Sequence, residues 1–194
     1  MTLARNQLTF ADYLLLDDGT DNRYELVDGE LTALPPESES NSSTANYLFL
    51  QLVTAGTPFC LIHLHACEVQ VPVLTTGDAV NRFPDLVVLR EEHLELTQKR
   101  LTITLEMPPP QLIVEVASPG KANRERDCDR KRAQYEAIGV PEYWIIDPPE
   151  HAITVLVLGQ TRYVELGQFR DEQWLQSQFL PNLELTAQQI LNLS

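Results

Sequence analysis

Two short apolar runs, each interrupted by one carboxylate, dominate the pattern of polarity along the chain. Pro84-Asp85-Leu86-Val87-Val88-Leu89 and Gln111-Leu112-Ile113-Val114-Glu115-Val116-Ala117 are rich in β-branched residues and have the length of buried strands. A polar, basic stretch over residues 123–138 follows and predicts a helix stopped by Gly139. Residues 142–147 then predict an aromatic-rich strand ended by Pro148-Pro149. Upstream, Thr9-Phe10-Ala11-Asp12 has the form of a capping box and opens a short helix through about Leu16. Residues 24–27 and 30–34 flank Asp28-Gly29, a hairpin turn signal. Residues 38–54 carry Ala45, Leu48, Phe49 and Leu52 at helical spacing. Residues 59–73 read as one long strand, or as two with a bend. Residues 152–158 and 161–166 flank Gly159-Gln160 as a second hairpin, and Thr186 caps a short helix near the end. There is no repeat and no clear linker. The pattern predicts an α/β (α+β) fold, with helices packed on a mixed sheet and a β-hairpin toward each terminus.

With 194 residues, the chain is read as a single domain, 1–194, large enough to bury a core. Hydrophobic content of 43% and charged content of 22% are ordinary for a globular protein. No apolar run is long enough to span a membrane, and the N-terminus lacks the apolar segment of a signal peptide, so a cytoplasmic location is expected. The net charge of −14 argues against a generic nucleic-acid coat. Six of the 14 Lys and Arg residues nevertheless fall in one stretch: Lys121, Arg124, Arg126, Arg130, Lys131 and Arg132. Such a patch on an acidic body can meet a phosphate backbone, or it can be a solvated helix face that balances nearby acids. The three cysteines form no C-x-x-C pair and suit a reduced protein. Cys60, His63, His65 and Cys67 raise zinc. A half-buried strand is the better account, because Cys60 would point away from the other three.

The chemistry centres on Asp85 and Glu115. An ionised carboxylate inside an apolar strand is costly unless it is paired, hydrogen-bonded or bound to a metal. If the two strands are neighbours, the acids repel each other unless a cation neutralises them, and oxygen donors of this kind suit Mg²⁺ or Mn²⁺. The plainer readings are a turn aspartate and a solvent-facing strand glutamate. Asp127, Lys131 and Tyr135 are spaced four apart on one helix face. That face either turns toward the acids, with Asp127 holding Lys131, or carries only an intrahelical Asp–Lys pair. On the first reading Arg124 and Arg130 are phosphate contacts. Tyr143 and Trp144 are expected in the core rather than stacked on bases. Ser118-Pro119-Gly120 is either a strand exit beside the site or a plain turn.

These stretches, with Tyr24 to Leu31 and Gly139 to Pro148, resemble the PD-(D/E)XK nuclease superfamily. Within it they are most similar to the restriction endonuclease-like family abundant in cyanobacteria, formerly a domain of unknown function. The resemblance implies a restriction-endonuclease-like central sheet and a metal-dependent endonuclease acting on DNA. Its catalytic residues would be Asp85, Glu115 and Lys131, with Asp85 and Glu115 as metal ligands, and it adds Glu25 as a further acid. The superfamily pattern has a lysine two residues after the glutamate, where this chain has Ala117, so the resemblance assigns that role to Lys131 on the following helix. Glu68 is a weaker candidate acid. A homodimer is also expected, from the resemblance and from Tyr163, Phe169 and Trp174 in the C-terminal part. Two other readings stand beside this one. The chain is a non-catalytic module that binds nucleic acid or protein through the basic helix, or the acids and the lysine form a buried structural network.

Overall fold

A computed structural model describes residues 7–20, 22–117 and 124–192, with backbone alone at 124–127. Helix α1 (Phe10–Leu14) opens with the capping box, in which the Thr9 and Asp12 side chains each take the other's backbone N–H. Strands β1 (Tyr24–Val27) and β2 (Glu30–Ala33) form a two-residue hairpin. Both turn residues, Asp28 at φ 48° and Gly29 at φ 79°, are left-handed, which is what Asp-Gly allows at low cost. Helix α2 (Glu39–Thr54) is capped by the Ser38 side chain.

The stretch 59–73 is not one strand. A 3₁₀ turn (Phe59–Leu61) leads into β3 (Ile62–Leu64), the chain bends at His65 with φ 53°, and β4 (Glu68–Gln70) joins a different sheet. The side chains of His63, His65 and Cys67 therefore do not share a strand face. Cys67 is buried at the other side of the bend and Cys60 is exposed. The first acid-bearing run is strand over only part of its length, and the residues just before it pair elsewhere. β5 (Asn81–Arg82) belongs to the small sheet, and β6 (Leu86–Val88) begins just after Asp85. Helix α3 (His93–Leu96) and β7 (Thr102–Ile103) lead to β8 (Leu112–Val116). Helix α4 (Arg124–Ala137), β9 (Glu142–Asp147), β10 (Ala152–Leu158), β11 (Tyr163–Phe169) and α5 (Ala187–Leu191) complete the order.

The central sheet has the order β11-β10-β9-β8-β6-β3. It is mixed. β8 and β9 run parallel, and every other adjacent pair is antiparallel. A parallel pair needs a long crossover, and α4 supplies it. All five residues of β8 are buried, as the near-continuous apolar run requires. The strands carrying Asp85 and Glu115 are neighbours, as expected. Helix α2 packs on β3, β8 and α5, and α5 packs on β10. Tyr143 and Trp144 are fully buried in the core. A smaller sheet, β5-β4-β7, stands beside the main one. No helix among the described residues is long and apolar enough to cross a membrane.

Candidate active site

The acids meet where two strands leave the central sheet. The last pair of β3 and β6 is Leu64 with Leu86, and β6 and β8 pair Leu86 with Val114. One step further along each register sets His65 opposite Asp85 and Asp85 opposite Glu115. The His65 N–H donates to the Asp85 carbonyl at 3.1 Å, which extends the ladder to that row. Asp85 and Glu115 are 6% and 7% exposed. Asp85 accepts the Val116 N–H on Oδ2 at 2.6 Å, so the backbone of β8 orients it.

Helix α4 returns over this row. Lys131 Nζ donates to Glu115 Oε2 at 2.8 Å, and the Tyr135 hydroxyl donates to Glu115 Oε1 at 2.7 Å. The four-residue spacing puts both donors on one face of the helix. Burial holds the Glu115 carboxyl above its ordinary value; Lys131 opposes the shift and the nearby Asp85 charge adds to it. Burial, reinforced by the Glu115 charge, also keeps the Tyr135 hydroxyl well above its usual range. It therefore acts as a proton donor in a hydrogen bond and not as an anion. A cleft of about 170 Å³ opens here, lined by Glu37, Phe83, Asp85, Glu115, Cys128 and Lys131 among others.

Two residues that the sequence reading did not assign to the site stand at its edge. Oxygens of Glu37 and Asp85 and a ring nitrogen of His65 lie within 4.8 Å of one another. His65 Nδ1 is 3.3 Å from Asp85 Oδ1, yet neither ring nitrogen has a hydrogen-bond partner among the described residues. Arg23 donates to the His65 carbonyl at 2.7 Å and to Glu37 Oε1 at 3.2 Å. The signal for His65 was present in the sequence only as part of the His63-x-His65-x-Cys67 pattern. Its position beside Asp85 follows from register, which the sequence does not carry. Glu37 follows Pro35-Pro36 and had no distinguishing pattern.

The other candidates lie elsewhere. Glu25 pairs with Arg82 at 3.1 Å and does not line the cleft, and Arg82 in turn donates to Gln134. Glu68 is 2% exposed and accepts from Asn81, Thr102 and Arg100, fastening the small sheet. Arg130 donates to the Gly77 carbonyl and stands 3.6 Å from Asp78, so it braces the turn before β5. Ser118 and the side chains of Arg124 and Asp127 lie outside the described residues.

A central mixed sheet flanked by helices, with the parallel β8–β9 pair joined by α4, is a restriction-endonuclease-like architecture. The chain belongs to the Uma2 family, described as "Putative restriction endonuclease", whose model matches residues 10–188. Its fold is similar to the crystal structure of a putative nuclease belonging to DUF820 from Anabaena variabilis ATCC 29413. That similarity has a TM-score of 0.70 at 16% identity, over 96% of this chain and 98% of the other. No curated protein matches the chain.

Proposed function

We propose that this protein is a metal-dependent endonuclease that hydrolyses phosphodiester bonds of DNA. The observation that carries the reading is the meeting of Asp85, Glu115 and Lys131 in one cleft. The residues present fit a divalent ion. Asp85 uses Oδ2 for the backbone and directs Oδ1 toward His65, whose buried ring nitrogens have no hydrogen-bond partner among the described residues. Each Glu115 oxygen accepts one bond and has a second lone pair. Asp85 and Glu115 would hold Mg²⁺ or Mn²⁺, which would supply Lewis acidity toward the phosphoryl oxygen and lower the pKa of water.

The chain's own groups do the rest. Lys131 offers a point charge to the developing negative charge on the phosphoryl oxygens, where a preorganised donor is worth far more than in water. Glu115 holds that ammonium in position, and Tyr135 fixes the glutamate in turn. Arg124 is assigned to phosphates along the strand, and Arg130 with it in addition to its contacts with Gly77 and Asp78; Asp127 and Ser118 are assigned to support. We assign the whole of 1–194 to one domain that works as a homodimer in the cytoplasm. Light scattering checks the assembly, and a monomer at high micromolar concentration removes it.

The test is a set of three variants, Asp85→Asn, Glu115→Gln and Lys131→Ala, measured for Mn²⁺ binding by calorimetry and for nicking of plasmid DNA. The carboxylate variants are expected to lose the ion and the nicking. Lys131→Ala is expected to keep the ion and lose turnover by about 100-fold or more. One observation favours a second reading, in which the centre is structural and the chain binds nucleic acid or protein without cutting. Lys131 and Tyr135 each bond one Glu115 oxygen, an arrangement that a buried structural network would also adopt. A wild type that binds no divalent ion supports that alternative.

A further inference from the structure

We infer that His65 is a nitrogen ligand of the divalent ion at this site, acting with Asp85 and Glu37, and that the site therefore selects Mn²⁺ over Mg²⁺. The inference rests on the metal-dependent reading above and extends it to two residues, His65 and Glu37, and a metal preference. Three observations carry it. The first is geometric. The three donor atoms lie within 4.8 Å of one another. Donors on opposite sides of one six-coordinate ion stand about 4.2 Å apart, so only a small closure is needed.

The second is the state of the imidazole. Both His65 ring nitrogens are buried and have no hydrogen-bond partner among the described residues. Buried polar atoms are nearly always satisfied by protein, water or an ion; an ion would satisfy Nδ1, the nitrogen beside Asp85, and leaves Nε2 to another partner. Nδ1 reaches Asp85 Oδ1 at 3.3 Å without hydrogen-bond geometry, which brings it next to an acid already assigned to the metal.

The third is the support behind the donors. A single guanidinium, that of Arg23, bonds both the His65 carbonyl and the Glu37 carboxylate. The backbone of His65 is thereby held relative to the Glu37 carboxylate before any ion arrives. The backbone at His65 is left-handed, and this turn takes the chain out of the central sheet beside Asp85.

The metal preference follows from ligand chemistry. Mg²⁺ takes oxygen ligands and gives up water reluctantly, whereas imidazole suits the first-row transition ions. A nitrogen in the donor set favours Mn²⁺ relative to an all-oxygen set.

The test uses the full chain with MnCl₂ and MgCl₂ as probes. His65→Asn is the principal variant, because asparagine tolerates left-handed φ and replaces the ring nitrogen with an amide. His65→Ala is the second, and circular dichroism confirms that each is folded. Calorimetry gives the ratio of Mn²⁺ to Mg²⁺ affinity. Electron spin echo spectroscopy of bound Mn²⁺ reports imidazole nitrogen directly. The expected result is a nitrogen modulation in wild type that both variants lose, together with a fall in Mn²⁺ affinity on the order of tenfold and a lower Mn²⁺/Mg²⁺ ratio. Mn²⁺ bound by wild type with no nitrogen modulation, or a modulation that survives in both variants, overturns the ligand role of His65 and leaves the endonuclease reading standing. No Mn²⁺ binding by wild type overturns both.

Discussion

Lys131 and Glu115 meet at 2.8 Å across the top of β8, so the helix that follows this strand returns a cation to the acid the strand carries. The pair is mostly shielded, with side-chain exposures of 21% and 9%. Removing one partner of a shielded pair costs more than the pair itself is worth, because the other charge remains behind. Lys131→Ala is expected to lose about 2 kcal/mol in urea unfolding, a figure reduced for the partial exposure of the lysine. The double variant Lys131→Met/Glu115→Gln is expected to recover most of that loss while remaining inactive in nicking. Equal destabilisation by the single and double variants would show that packing, and not charge, is responsible.

Glu25 is expected to behave differently from the cleft acids. It holds Arg82, which is nearly buried, and it does not line the cleft. Glu25→Gln should therefore cost about 1–2 kcal/mol through a weakened charge-assisted bond. Nicking of plasmid DNA should stay within about twofold of wild type, since no charge is lost from the reacting centre. A loss of activity at unchanged stability would restore Glu25 to the catalytic set.

His93 gives the protein a pH dependence unrelated to the cleft. Its Nδ1 accepts the Arg90 N–H at 3.0 Å, which leaves the proton on Nε2, and that group donates to the Pro108 carbonyl at 2.8 Å. Burial lowers its pKa from 6.5; the Pro108 bond and Glu92 oppose the shift, and Arg90 adds to it. Because the folded value is the lower one, the unfolded chain takes up the proton first as pH falls. The contribution of His93 is complete above 6.5 and is lost progressively as pH drops toward the folded value. In urea titrations from pH 7.5 to 5, the stability advantage of wild type over His93→Gln should shrink as pH falls. A constant difference across that range sinks the idea.

Glu142 fastens the C-terminal segment. It is 1% exposed and accepts from the Trp144 indole, the Ser177 hydroxyl, and the N–H groups of Gln178 and Phe179. Glu142→Ala leaves these donors to find other partners and is expected to cost about 3 kcal/mol. Limited proteolysis of this variant should cut first around residues 175–181. Cleavage that begins instead in the β10–β11 hairpin would mean that the carboxylate is not what holds the segment.

Much of this architecture was legible because its signals are local. The acid-bearing runs at 84–89 and 111–117 are short, β-branched and bounded by proline or a polar loop, and strands form within them at 86–88 and 112–116. Capping boxes at Thr9 and Thr186, and Asp28-Gly29, fix chain direction within a few residues. Lys131 and Tyr135 share a helix face by spacing alone. What was hidden depends on pairing between distant segments. β5 and β7 have two residues each, too few to show a period. The bend at His65 depends on a backbone conformation that histidine adopts without advertising it. The row His65, Asp85, Glu115 emerges only when three strands are set in register, and Glu37 enters through Arg23 from the first hairpin.

The Glu142 clasp has a consequence for chain truncation. Three of its four described donors lie 35 to 37 residues further along the chain, beyond the β10–β11 hairpin. Without residues 177–179, the strand next to the Glu115 strand keeps, among the described residues, only the Trp144 indole against a buried acid. A chain cut before residue 177 would contain every residue lining the cleft and still lack the contacts that let the neighbouring strand sit in a dry interior.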